Sequence, residues 1–236
     1  MKDIVVLDGV RTAIGTFGGS LAGTSPIELG SIVAKEALAR SGVEGKQVGN
    51  VVFGHVINTE PRDMYLSRAA SIAAGVPEMA PAMNVNRLCG SGLQAIVSAA
   101  QSLMLGDATM ALAGGSESMS RSPYIVPAIR WGQKMGDTGA TDMMLGALNC
   151  PFGTGHMGVT AENVAAEYDI TREAQDAFAL QSQERALNAL KEGYFKSQIV
   201  PVEVKVKRNT AFFDTDEHPK ATTVEMLGKL RPAFQK

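Results

Sequence analysis

Ala82-Met83-Asn84-Val85-Asn86-Arg87-Leu88-Cys89-Gly90-Ser91-Gly92 passes from one backbone period to another. Ala82 to Val85 reads as a short strand. Beyond Gly92, Leu93, Ile96, Val97, Ala100, Leu103 and Met104 recur at the i, i+3, i+4 spacing of an amphipathic helix. Cys89 therefore falls on the turn from strand to helix, at or just before the first helical turn. Unpaired N–H groups and the positive end of the helix dipole favour a thiolate there, and the thiolate is the nucleophilic form. Gly90 and Gly92 carry no side chain to obstruct a carbonyl group approaching the sulfur. The Cys89 N–H is a candidate donor to the oxyanion that such an attack creates. An inert thiol buried at a helix start is the plainer reading of a single cysteine. The glycines and the strand–turn–helix setting favour the reactive one, as at the serine elbows of other strand-to-helix turns.

The same alternation extends on both sides. Ile4 to Leu7 is a continuous apolar run, as expected of a strand covered on both faces. Ser25-Pro26-Ile27-Glu28 opens a helix: Ser25 is the N-cap, Pro26 takes the first helical position and Glu28 closes a capping box. That helix should run to about Arg40. Val51 to Phe53 reads as a strand, Ser67 to Ala74 as a helix, and the helix after Cys89 should stop at Gly106. Met110 to Ala113 is a further strand, ending in Gly114-Gly115. Repeated βα units imply an α/β domain with a largely parallel sheet. The pattern changes after Gly115. Residues 116–158 are rich in Gly, Met, Pro and Ser without sustained periodicity, which points to a functional loop region. Helices are expected after Thr160 and after Thr171, the second ending near Gly193. Val202, Val204 and Val206 alternate with charged residues as a half-exposed strand does. The expected division is therefore 1–115 for the α/β domain and 116–236 for a loop domain with a tail. Leu230 to Lys236 shows no terminal helix and no evident stopping point.

Composition narrows the function classes. The 236 residues are 45% hydrophobic, with 22 basic and 24 acidic side chains and a net charge of −2. No basic block points to nucleic acid or to an anionic membrane. Two cysteines, Cys89 and Cys150, make no disulfide framework. With no secretory signal ahead of them, they suit a reducing cytoplasm.

Other candidates are weaker. The glycines from Gly15 to Gly23 include no G-x-G-x-x-G and no G-K-[ST], so they read as a connection and not a phosphate cradle. His55 at a strand end reads as structural, and His218 beside Pro219 as exposed. His156, among glycines ahead of a helix, is equally consistent with substrate contact and with loop hydrogen bonding. No spacing of His, Cys, Asp or Glu suggests a metal site. The methionines of 135–157 suit either an adaptable acyl pocket or plain packing.

Together these stretches resemble the thiolase family, the acetyl-CoA acetyltransferases and 3-ketoacyl-CoA thiolases. The matching segments are Gly9-Val10-Arg11-Thr12-Ala13-Ile14-Gly15, Asn86 to Ile96, Gly114-Gly115-Ser116-Glu117-Ser118-Met119-Ser120, His156 to Asn163, and Lys229-Leu230-Arg231-Pro232-Ala233-Phe234. The resemblance implies a layered, mainly parallel sheet with helices on both faces, plus a large loop domain that receives coenzyme A. It implies an acyltransferase of fatty acid metabolism in which Cys89 carries the acyl group. His156 and Met157 match positions near the thioester and pantetheine. Lys220 falls close to a basic residue, usually Arg, that meets the adenosine end of coenzyme A, although the spacing here is slightly short. Coenzyme A thioesters are the implied substrates, with no further cofactor, and a cytoplasmic homo-oligomer is the implied assembly.

One departure stands out. The family continues beyond the position of Lys236 with a last strand and a second α/β domain. That part supplies an Asn-Glu-Ala-Phe segment, a Gly-His-Pro segment and a second catalytic cysteine in Cys-x-Gly, none of which occurs here. Cys150, His55 and His218 do not lie in those contexts. The chain thus looks like an amino-terminal part, with the C-terminal domain absent and the C-terminal half a candidate partner. Two other readings stand beside the acyltransferase. One is a non-catalytic fragment or subunit that assembles or binds coenzyme A, its open sheet edge needing cover. The other is a relative of the 3-ketoacyl-ACP synthases, against which the loop domain and the Asn-Arg-Leu-Cys-Gly-Ser-Gly segment count.

Overall fold

In the computed structural model, which describes residues 3–235, the chain runs through β1 (Arg11–Thr12), α1 (Pro26–Ser41), β2 (Asn50–Gly54), α2 (Leu66–Ala73), β3 (Ala82–Val85), α3 (Ser91–Leu105) and β4 (Ala111–Gly115). Then come β5 (Tyr124–Ile125), β6 (Thr141–Asp142), α4 (Met143–Leu148), β7 (Asn149–Cys150), β8 (Gly155–His156), α5 (Met157–Glu167) and α6 (Arg172–Lys191). Last are β9 (Ile199–Val200), β10 (Val202–Val206), β11 (Asn209–Phe213) and α7 (Val224–Gly228). Two compact units result: Met1–Tyr124 with Gln198–Thr215, and Ile125–Ser197 with Asp216–Lys236.

The first unit is organised by the period-2 alternation of β2. Val51 and Phe53 point to one face and are buried with Ile27, Ala34 and Leu38 of α1 and Leu66 and Ala70 of α2. Val52 points to the other face, against Ala95 and Ala99 of α3. Each of the larger fully buried side chains, Val51, Val52, Phe53 and Leu66, contributes about 1.5–3 kcal/mol. β3 and β4 flank β2 in parallel, in the order β3-β2-β4, with Gly54 in register with Val85 on one side and Gly115 on the other. The α/β class, the parallel sheet and helices on both faces are thus observed. In α3 the small residues Ala95 and Ala99 meet the sheet, while Leu93, Ile96, Val97 and Leu105 on its other sides are exposed. By length and composition alone residues 88–105 would also cross a bilayer, but a helix apolar all round is equally one that packs on two sides.

Two expectations need correction. Ile4 to Leu7 belongs to no strand among the described residues, and Val6 is 81% exposed. An apolar run signals burial, but pairing needs a neighbour, and the ladder in this region begins at Arg11–Thr12. β1 pairs in parallel with β9, so residues 198–215 belong with the first unit, and the units part after Tyr124 instead of after Gly115. A two-residue ladder across that sequence distance leaves no local signal. A helix without a clear sequence signal, α7, forms near the end, with Thr223 as its N-cap accepting from the Met226 N–H.

The capping box of α1 is formed as expected. Ser25 Oγ accepts from the Glu28 N–H at 3.2 Å, and the Ser25 N–H donates to Glu28 Oε2 at 2.8 Å. That N–H, chiefly, holds the Glu28 carboxyl below its ordinary value against the opposing effect of burial; the Ser25 hydroxyl, Arg121 and Arg62 add to it. A depressed carboxylate stabilises the fold above the ordinary carboxylate range, and the contribution is lost as pH falls through the folded value. Ser25→Ala should cost about 1 kcal/mol. Glu28→Ala should destabilise most at neutral pH and progressively less in acid; urea melts of both variants at the two pH values check this.

Candidate active site

Between β3 and α3 the backbone turns sharply. Leu88 adopts φ 47°, a left-handed conformation uncommon for a residue with a Cβ. The Asn86 side chain supports it by accepting from the Leu88 N–H at 3.0 Å, and the Gly90 N–H donates to the Arg87 carbonyl at 3.1 Å. The turn carries Cys89 at the surface as an exposed, free thiol just ahead of the helix. Strain of this kind, held by its surroundings, is characteristic of functional turns.

The glycines around the turn have separate roles. A Cβ at Gly92 would meet nothing within 4 Å, and one at Gly90 would only touch the Arg87 carbonyl at 3.4 Å. Both leave the approach to the sulfur open. Gly54 is the tightly packed one: a Cβ there would lie 2.5 Å from the Ser91 carbonyl carbon and 2.7 Å from the Gly92 nitrogen. The helix start rests directly on the end of β2.

His55 follows Gly54 and has a structural part. Its N–H donates to the Val85 carbonyl at 3.1 Å, and ring Nδ1, 2.9 Å from the Ser116 carbonyl, must carry the proton because a carbonyl only accepts. The Glu117 carboxylate accepts from the N–H groups of Val56 and Ile57 at 2.9 and 3.2 Å. These bonds tie together the carboxyl ends of β2, β3 and β4. A cleft of about 290 Å³ opens beside them, lined by residues that include His55, Asn58, Asn84 and Asn86, at the strand ends where open α/β sheets bind ligands.

In the second unit, His156 is the N-cap of α5, so this helix begins at Met157 and not after Thr160. Ring Nδ1 accepts from the Gly158 N–H at 3.0 Å, which leaves the proton of the neutral ring on Nε2, free to face a ligand. The ring stacks on Phe234, centroids 4.9 Å apart and planes at 22°. Gly158 is required beneath it, since a Cβ there would run into the Phe234 ring. Met157, the next residue, is exposed. Phe234 carries no sequence signal of its own as a site residue; only the matching segment that contains it stands out.

Lys220 is exposed, its N–H donating to Gln183 Oε1 on α6 at 2.8 Å. The structure thus gathers His156, Met157 and Phe234 in the second unit and holds Lys220 against α6, whereas Cys89 belongs to the first unit. Cys150, opposite Gly155 in the β7–β8 ladder, has a thiol held below its ordinary value. The Thr154 hydroxyl is the main cause, joined by the N–H groups of Thr154, Phe152 and Gly153.

A parallel α/β sheet, a cysteine on a strained strand-to-helix turn and a separate loop unit bearing a histidine-capped helix define a class. The chain belongs to the thiolase family: the family model described as "Thiolase, N-terminal domain" matches residues 4–236. Among proteins it resembles, the β-ketothiolase BktB of Cupriavidus necator is 61% identical over 236 residues, covering 100% of this chain and 60% of that protein. The crystal structure of the Bacillus anthracis acetyl-CoA acetyltransferase matches with a TM-score of 0.94 at 43% identity, covering 98% of this chain and 59% of that one. Human mitochondrial 3-ketoacyl-CoA thiolase in complex with CoA matches with a TM-score of 0.91 at 39% identity, covering 96% and 57%. The chain therefore spans about 60% of the length of the curated relatives it matches, and the family decides against a 3-ketoacyl-ACP synthase relative.

Proposed function

We propose that this chain carries the acyl-accepting half of an acyl-CoA C-acyltransferase, with Cys89 as the nucleophile. The observation that carries the reading is the exposed thiol on the strained turn at the start of α3. The Cys89 thiolate attacks the thioester carbonyl; a carbon–sulfur bond forms, the carbonyl π electrons move to oxygen, and the tetrahedral anion collapses with loss of the coenzyme A thiolate. The Cys89 N–H faces the oxyanion at that stage. The enolate of acetyl-CoA then attacks the acyl-enzyme carbonyl, giving a 3-ketoacyl-CoA and releasing Cys89. Thiolysis is the reverse. His156 Nε2–H and Met157, beside Phe234, contact the thioester and pantetheine, and Lys220 meets the adenosine end. The resemblance to a thiolase solved with CoA supports this placement. Coenzyme A thioesters are the substrates without a further cofactor, and the working form is a cytoplasmic homo-oligomer.

A second reading is a subunit that assembles without catalysis of its own. The exposed apolar sides of α3 and the exposed run Ile4 to Leu7 favour it, because apolar surface of that extent marks an interface. The C-terminal half of a thiolase is the partner proposed for it.

Thiolysis of acetoacetyl-CoA by coenzyme A, followed with intact mass of the purified chain, separates the readings. An acetyl group on Cys89 without sustained turnover is expected, because the sequence contains neither a Gly-His-Pro nor a Cys-x-Gly segment to move protons in the second half-reaction. Turnover at thiolase rates would show that those segments are dispensable. No adduct would leave the assembling subunit as the reading that stands.

A further inference from the structure

Ser91, the first residue of α3, is 5% exposed and holds the peptide that precedes Cys89. Its hydroxyl accepts from the Arg87 N–H at 2.9 Å and donates to the Leu88 carbonyl at 2.6 Å. The same carbonyl accepts the Ser91 backbone N–H at 2.9 Å. Two donors thus fix the Leu88 C=O, one of them a buried side chain.

That carbonyl belongs to the Leu88–Cys89 peptide. In a planar trans peptide the C=O and the following N–H point in opposite directions, and the described residues include no cis bond. Pinning the Leu88 oxygen on one side therefore aims the Cys89 N–H to the other. Hydrogen bonds to the oxygen also draw electron density through the amide and make its N–H a stronger donor. Leu88 at φ 47° has no intrinsic preference for this arrangement, so something must hold it.

We infer that Ser91 is a positioning residue for acyl transfer: its hydroxyl aims and polarises the Cys89 N–H toward the oxyanion of the tetrahedral intermediate. The inference rests on Cys89 being the acyl carrier. It separates two properties of one cysteine, the nucleophilicity of the sulfur and the stabilisation of the anion that its attack produces. Ser91 acts on the second.

The test uses two reagents on the full chain, with Cys89 modification followed by peptide mapping. p-Nitrophenyl acetate acylates through a tetrahedral oxyanion and needs no coenzyme A site. Iodoacetamide alkylates by displacement at a saturated carbon and forms no oxyanion. Ser91→Ala should slow acetylation of Cys89 about tenfold, less than the loss of a direct donor, while alkylation changes by under about twofold. Ser91→Thr, which keeps the hydroxyl, should restore acetylation. Acetylation of Ser91→Ala at the parent rate overturns the inference, and so does a parallel fall in both reactions, which would mean a misplaced sulfur or a damaged fold. A parent chain alkylated at Cys89 but never acetylated overturns it too, because no donor then acts. If parent Cys89 accepts neither reagent, the acyl-carrier reading fails first and the inference falls with it.

Discussion

Cys89→Ala is expected to abolish covalent acetyl on the chain after exposure to acetyl-CoA, while Cys150 keeps its reactivity toward alkylating reagents. The side chain removed is the proposed nucleophile, and losing the nucleophile of a covalent catalyst costs on the order of 10⁶ in rate. The effect should be all or none, because Cys150, the other thiol, lies in a different setting. Its sulfur sits in a tight turn and takes hydrogen bonds from the Thr154 hydroxyl and nearby N–H groups. Those bonds stabilise the thiolate, so the folded value lies below that of an ordinary thiol. As pH falls from the alkaline side, Cys150 should therefore stay ionised, and alkylable, at pH values where an ordinary cysteine has become protonated. Thr154→Val should move that alkylation profile toward higher pH. A stabilised thiolate is also a weaker nucleophile, which is why alkylation alone cannot identify the acyl carrier. Peptide mapping after acetyl-CoA treatment decides it: acetyl confined to the Cys89 peptide, and lost in Cys89→Ala, is the expected pattern. Acetyl on Cys150 in both proteins would assign the chemistry elsewhere.

What the sequence discloses follows from the range of the interactions involved. The capping box at Ser25 and Glu28, the stop at Gly106 and the strand–turn–helix around Cys89 are set within one or two turns of chain, and each is legible. The start of α5 is not, although it too is local. Histidine is a rare N-cap, and Thr160 offers the more conventional signal; only the bond from the Gly158 N–H to His156 Nδ1 reveals the true start. The stack of Phe234 on His156 and the pairing of β1 with β9 join segments far apart in sequence. No periodicity encodes them. The run Ile4 to Leu7 shows the limit from the other side: hydropathy states that a segment favours burial without naming what buries it. The site follows the same rule. Cys89 stands out as the candidate from its neighbours alone, while Ser91 and Gly54 acquire meaning only when the start of α3 is seen against the end of β2.

Gly54→Ala is accordingly expected to be the most damaging conservative change near the site, at about 3 kcal/mol, the upper part of the range for overpacking a tight contact. The added methyl would meet backbone, not a flexible side-chain tip: the Ser91 carbonyl carbon at 2.5 Å, with the Gly92 nitrogen and the Ser91 oxygen each at 2.7 Å. A rotamer change cannot relieve that. Either α3 must move away from β2, weakening the contact of Val52 with Ala95 and Ala99, or β2 must shift and disturb its ladders to β3 and β4. Both routes displace the turn, so Cys89 acetylation should fall along with stability. Gly92→Ala is the matched control. It lies two residues beyond Gly90 in the same segment, and a methyl added there would have nothing within 4 Å. Inside a helix such a change is neutral or stabilising by up to about 1 kcal/mol. Urea melts of the two variants, and the Cys89 acetylation rate of Gly54→Ala against the parent, give the comparison. A Gly54→Ala protein as stable and as readily acetylated as the parent would show that α3 does not depend on this contact. The expected result, one glycine indispensable and its near neighbour replaceable, would locate the constraint at the seam between strand and helix that sets where the thiol stands.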